Sequence, residues 1–266
     1  MNKFYIKIVF FLLTIPLCVN NKTLVIELSL KKDTKPKSIN HYHTNDSSEE
    51  VYEKNKHLLC NDPKETKNAC NVMKEALIQL EYHTTNIVDY GLYKIYYTDY
   101  VRFDNYNKII NKYWDPDSDH FLYIGSVKRK IVRMYTPNLV MIQQRSRKWP
   151  WSREKYFYAL AAKFEISENK TIIVMTSANI NDHNPSNEKY ENEIVKSANL
   201  FKTDINSEDD IRKGYLKKTF VNIAGYIIEK KDKYLDVTHV ESIDRYAPSF
   251  LNRMIRKALN NFFPQK

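Results

Sequence analysis

Seven histidines, His41, His43, His57, His83, His120, His183 and His239, are the side chains best suited to acid–base or metal chemistry near neutral pH. Their scatter produces no HExxH or HxxxH spacing. No GxSxG string offers a nucleophile elbow, and no carboxylate pair stands out for general acid–base work. Cys60 and Cys70 lack the CxxC companions of a zinc site. With only four glycines, neither GxGxxG nor GxxxxGK[ST] occurs, so glycine-rich phosphate loops are excluded. A hydrolase therefore ranks last, and no catalytic residue, metal or cofactor is assigned.

What remains is a chemistry of binding, concentrated in KWPWSREKYFYAL, residues 148–160. Two tryptophans bracket a proline, charges follow, and Tyr156, Phe157 and Tyr158 open an apolar run. Such a stretch could be a sticky loop, a stacking platform for nucleic acid, or the mouth of a pocket. The net charge of +10 would attract anionic lipid, nucleic acid or acidic protein alike.

The N-terminus narrows this choice. Residues 1–20 read as a signal peptide: Lys3 and Lys7 are basic, and Ile8 to Val19 is apolar but for Thr14 and Pro16. About a dozen apolar residues fall short of the roughly 20 that span a bilayer. Secretory targeting favours membrane surfaces over nucleic acid, and an oxidising compartment would allow Cys60 and Cys70 to pair. Oligomeric state is not legible.

The elements that must position the binding residues follow in order. Residues 21–57, with KKDTKPKS and NDSSEE, form a polar linker expected to carry little fixed structure. The globular part covers 58–266. Asp62, Pro63 and Glu65 start a helix whose stripe Ala69, Val72, Met73, Ala76, Leu77 and Leu80 runs to about His83. Tyrosine-rich strand sequence follows over Asp89 to Phe103, then a short helix ending at Trp114. Strands are expected in VKRKIVRMY, NLVMIQQR, KYFYALAAKFEI and TIIVMTSA. A polar stretch over 181–218, with a further strand at VKSANLF, precedes the hairpin TFVNIAGYIIE/KYLDVTHVE. After Pro248, Phe250, Leu251, Met254, Ile255, Ala258, Leu259 and Phe262 form one face of a terminal helix. This order is α+β.

The terminal APSFLNRMIRKALNNFF, the hairpin before it, the WD of KYWDPD and PWSREKYFYAL stand in the order found in the START (StAR-related lipid-transfer) domain. More narrowly, SVKRKIVRMYTPNLVMIQQR, KWPWSREKYFYALAAKFEISENKTIIVMTSANIND and the targeting segment closely resemble fam-a, a family of exported malaria-parasite proteins carrying a START-like domain. The resemblance covers roughly residues 58–263. It implies a helix-grip fold, a curved antiparallel sheet around a long C-terminal helix, enclosing one lipid. It also implies secretion and export to the host cell or the parasitophorous vacuole.

The resemblance also assigns lipid-binding candidates. Tyr156 matches an aromatic that follows the family's proline-x-serine turn and helps cage choline headgroups; it would serve equally as a packed sheet tyrosine. Strand parity groups Tyr156 with Tyr158, Leu160, Ala162 and Phe164, expected to face inward, with Lys163 and Glu165 on the opposite face. Trp114 matches the tryptophan of the family's WD. Asn111 and Lys112 stand where the family often has a phosphate-binding arginine, leaving Lys112 as substitute. Gln143 and His239 occupy positions where choline binders place aromatics, and His239 is equally a candidate core histidine. Arg153 is a rim or headgroup candidate. Asn222 and Tyr226, on the strand TFVNIAGYIIE, complete the set. The function implied is phospholipid binding and transfer between membranes, phosphatidylcholine included, with peripheral membrane contact and no nucleic acid. The alternative is an interaction module that uses the fold without transport, marked by a filled interior.

Overall fold

The structure, a computed structural model, describes residues 47–85, 93–99, 106–116, 126–147, 149–186, 190–232 and 234–244. The chain divides into two compact units at residues 45/46, and all described residues belong to the second. The expected terminal helix and residues 1–20 lie outside the described residues.

The first element corrects the linker boundary. Residues Ser47–Asn55 form helix α1, followed by a 3-10 turn, Lys56–Leu58. Val51 is buried in the main core cluster, and the Cys60 N–H donates to the Met134 carbonyl at 2.7 Å. Polar composition predicted a linker here because almost no apolar stripe exists. Docking of Val51 and the backbone bridge at Leu59 supply the order instead.

Helix α2, Pro63–Thr85, starts as its sequence dictates: Asp62 Oδ1 accepts the Lys64 N–H at 2.8 Å, and Pro63 takes the first helical position. Its stripe from Ala69 to Leu80 is buried. Strand β1 spans Tyr93–Asp99 and helix α3 Tyr106–Trp114. Then come β2 (Ser126–Thr136), β3 (Leu139–Arg147), β4 (Lys155–Ser167) and β5 (Lys170–Thr176). After short β6 (Asn179–Asn181) and β7 (Lys202–Asp204) come α4 (Asp209–Arg212), β8 (Lys217–Lys218), β9 (Phe220–Lys230) and β10 (Leu235–Asp244).

The main sheet is curved and antiparallel, in the order β1-β10-β9-β5-β4-β3-β2, with β8 joining β4 in parallel. This is the α+β class expected. The run from Tyr156 to Ala162 in β4 is buried without alternation, because helices lie on both faces. The α2 face carries Tyr156, Tyr158, Leu160, Met141, Ile172, Val174 and Gly225. A Cβ on Gly225 would lie 2.8 Å from Leu80 Cδ2 of α2 and 2.4 Å from the Ile173 carbonyl. The α3 face carries Phe157, Ala159, Ala161, Ile142, Ile173, Tyr226 and Val237, clustered with Tyr106, Ile110, Tyr113 and Trp114.

VKSANLF is not a strand. Residues Lys196–Asn199 form a 3-10 helix. Asn192 Oδ1 accepts the N–H groups of Ile194 and Val195 and bends the chain, while the Glu75 carboxylate of α2 accepts those of Lys196 and Ser197, both at 2.9 Å. Cys60 and Cys70 are not joined to each other. Among the described residues no helix is long and apolar enough to cross a membrane.

Candidate functional site

Register decides which candidates meet. Gln143 lies opposite Tyr158 across β3 and β4, so both share the α2 face with Tyr156. Tyr226 lies opposite His239 across β9 and β10 and opposite Ile173 across β5, which places both on the α3 face with Trp114. The nine candidates therefore do not line one cavity. Parity grouped Tyr156, Tyr158 and Lys163 correctly, but the face carrying Tyr156 is not the one that carries Trp114.

On the α2 face the polar atoms are engaged with protein. The Tyr156 hydroxyl donates to Asp182 Oδ2 at 2.8 Å, and Lys218 Nζ donates to Asp182 Oδ1 at 2.7 Å. Burial pushes the Tyr156 phenol up, and the Asp182 carboxylate adds to the shift. Gln143 Nε2 donates to the Tyr158 hydroxyl at 2.7 Å and to Glu208 Oε2 at 2.8 Å. Burial also raises the Tyr158 phenol. Arg145 grips both oxygens of Asp210, at 2.6 and 3.0 Å, and Lys130 pairs with Glu208. Burial raises Glu208, but hydrogen bonds from Lys130 and Gln143 outweigh it and hold the carboxyl at about 2. This network latches the 182–212 segment onto the sheet.

On the α3 face the character changes. Tyr113 packs on Tyr226 at 4.2 Å between ring centroids, and Tyr226 stacks on His239 at 4.6 Å and 22°. The rings cover one another and leave no open aromatic cage of the choline type. Burial lowers the His239 imidazole to about 4, so it is neutral at pH 7. Two buried polar atoms here have no hydrogen-bond partner: Trp114 Nε1 and His239 Nδ1. A buried polar atom left unpaired costs about 1–3 kcal/mol, so each marks a place where a partner would bind favourably. Trp114, Arg129, Ile131, Ile142, Ala161 and Ile173 border a narrow cleft of about 10 Å³, room for about one water molecule.

Three candidates are placed elsewhere. Arg153, expected at the rim, donates through Nε to the Tyr215 carbonyl at 2.9 Å and through Nη2 to the Gly214 and Leu216 carbonyls. Its planar fork ties two loops together. Asn222 Oδ1 accepts the Tyr190 hydroxyl at 3.0 Å, and its Nδ2 donates to Ser242 Oγ at 3.2 Å. Lys112 is half-buried on α3.

Two further polar residues lie on the α3 face: Arg129, which sequence reasoning missed, and Lys163, which strand parity places on the face opposite Tyr156. Arg129 borders the cleft and donates to Gln144 Oε1 at 3.1 and 2.6 Å. Lys163 is buried, with Nζ 3.3 Å from Glu165. The signal for Arg129 was its parity with Ile131 and its pairing with Gln144, which places it beside the apolar stripe of Ile142 and Ala159. Among the described residues no cluster of His, Cys, Asp and Glu could hold a metal ion.

No family model matches the chain, and no curated protein matches it. Solved structures do. The human StarD13 lipid transfer and protein localization domain is 14% identical with a TM-score of 0.35, covering 59% of this chain and 64% of that one. Human STARD10 is 12% identical with a TM-score of 0.36, covering 64% and 60%. Human StAR-related lipid transfer protein 5 is 10% identical with a TM-score of 0.43, covering 73% and 94%. The chain spans less than two thirds of the length of the first two. At these values no function passes from those proteins to this chain.

Proposed function

We propose that this protein binds a lipid on the α3 face of its sheet and carries it between membranes. The observation that carries the reading is the pair of buried, unpaired polar atoms, Trp114 Nε1 and His239 Nδ1, on the face that carries the main apolar cluster. An apolar wall removes the cost of exposing acyl chain, about 0.8 kcal/mol per methylene, and a few polar groups orient the headgroup. A phospholipid, phosphatidylcholine included, is the ligand class proposed. Arg129, which borders the same cleft as Trp114, is the group to meet its phosphate. Lipid uptake requires α3 to move away from β3 and β5, since the cleft beside Trp114 is narrow. Carriage needs no bond-breaking chemistry.

Residues 1–20 and the fam-a resemblance support secretion and export, with peripheral membrane contact during exchange. Sequencing the N-terminus of the mature protein and localising it by immunofluorescence test that part. The functional test is transfer of a fluorescent phospholipid between vesicles: the protein should accelerate it, and an unchanged rate opposes transfer. The narrow cleft favours one second reading, an interaction module with a filled interior. A chain that neither transfers lipid nor carries it supports that reading.

A further inference from the structure

Three of the five large hydrophobic side chains strongly exposed among the described residues lie on two neighbouring turns: Trp149 at 51%, Trp151 at 83% and Tyr215 at 67% exposed. Large aromatics left in water on adjacent turns mark a contact surface rather than chance exposure. The two indoles are parallel, with centroids 5.9 Å apart and planes inclined by 6°. Their turn is closed by Ser152, whose N–H and Oγ donate to the Trp149 carbonyl at 3.0 and 2.8 Å. The second turn carries Gly214 at φ 70°, a left-handed conformation that suits glycine.

The turns are joined. Arg153 reaches from the end of the first turn to the carbonyls of Gly214, Tyr215 and Leu216. The Lys217 N–H donates to the Glu154 carbonyl at 2.9 Å, and β8 pairs with the start of β4. The aromatics therefore sit on one braced platform. The charge around it is one-sided: residues 145–155 and 212–218 hold nine Lys and Arg against Glu154. Asp182, Glu208, Asp209 and Asp210 pair with several of these cations, yet the surplus stays positive.

We propose that the Trp149–Ser152 turn and the Gly214–Leu216 loop form one rigid docking surface for an anionic membrane interface, with Arg153 as the residue that positions the two halves. Indole and phenol rings settle at headgroup depth, and flanking basic residues draw the surface to anionic lipid. This deepens the membrane contact of the lipid-binding reading by naming its surface.

The test uses the full chain with phosphatidylcholine vesicles, with and without phosphatidylserine. Trp114 is buried beside the lipid cleft, so its own response to vesicles is read from Trp149→Ala/Trp151→Ala, where it is the one tryptophan left, and subtracted. Vesicles containing phosphatidylserine should blue-shift the emission, and lipids brominated near the headgroup should quench it. Trp149→Ala/Trp151→Ala should lower vesicle partitioning at least about tenfold. Arg153→Lys, which keeps the charge but loses the fork, should lower it several-fold, and Tyr215→Ala should act in the same direction. All variants should keep wild-type circular dichroism. Partitioning of the double tryptophan variant equal to wild type overturns the proposal. So does emission that vesicles leave unmoved, which would point to a protein partner. Weighing bound lipid by native mass spectrometry separates the two readings. A chain that carries no lipid yet inserts its tryptophans sinks the lipid-binding reading alone. One that carries lipid and binds vesicles without them sinks this surface alone.

Discussion

Lys218→Met removes the cation from a buried pair. Asp182 has a side chain only 2% exposed and Lys218 one 15% exposed, at 2.7 Å. Losing one partner of a buried pair typically costs about 3–5 kcal/mol, because the other charge stays buried. Asp182 keeps the Tyr156 hydroxyl as a donor, so the lower end applies, about 3 kcal/mol. Lys218 also sits 5.7 Å above the Phe220 ring, a contact worth about 0.5–1 kcal/mol that methionine partly replaces by packing. For a domain of this size, about 3 kcal/mol lowers Tm by roughly 6–12 °C. Asp182→Asn in the same chain removes the stranded charge and should recover at least about 1.5 kcal/mol as a coupling term. Urea unfolding of wild type, both single variants and the double variant measures this. A single variant losing under about 1 kcal/mol, or a double variant as damaged as Lys218→Met, refutes the claim that the pair latches the 182–212 segment.

Further outcomes follow from the same geometry. Glu208 sits at about 2, held down by Lys130 and Gln143 against burial, and the Arg145 fork lowers Asp210. Depressed carboxyls stabilise the fold fully above their unfolded values, about 4, and lose that contribution as pH falls through the folded ones. Urea midpoints should therefore fall between about pH 4.5 and 2, with a shallower slope in Arg145→Gln. Gly225→Ala would press a methyl to 2.4 Å from the Ile173 carbonyl, and should cost at least about 2 kcal/mol in the same assay. Asn192, fully buried, bonds Thr176, the Asn222 carbonyl and the N–H groups of Ile194 and Val195. Asn192→Ala should cost about 3 kcal/mol or more and expose the 190–200 segment to proteolysis.

Elements with clear periodic or capping signals were legible in the sequence. Asp62 and the stripe from Ala69 to Leu80 gave α2, and the turn residues between apolar runs gave β2 to β5 and the final hairpin. The faces were not legible to the same degree. KYFYALAAKF is buried on both sides, so parity grouped Tyr156 with Tyr158 without saying which helix they meet. Family resemblance put Tyr156 among the lipid candidates and parity added Tyr158, while neither pointed to Arg129. Arg153 looked like a headgroup ligand because nothing local reveals the carbonyls at 214–216, some sixty residues away in sequence. VKSANLF has strand-like composition, but Asn192 and Glu75 bend it into a 3-10 turn. The helix at Ser47–Asn55 is held by tertiary docking that composition does not encode.

Whether the α3 face holds a lipid is decided by native mass spectrometry of the purified chain, applied to wild type, Ala161→Trp on the α3 face and Tyr156→Phe on the α2 face. Wild type and Tyr156→Phe should each carry one lipid's added mass, and Ala161→Trp should lose it, because an indole would fill the cleft beside Trp114. Protein mass alone in wild type, or lipid kept by Ala161→Trp and lost from Tyr156→Phe, would contradict lipid binding on the α3 face.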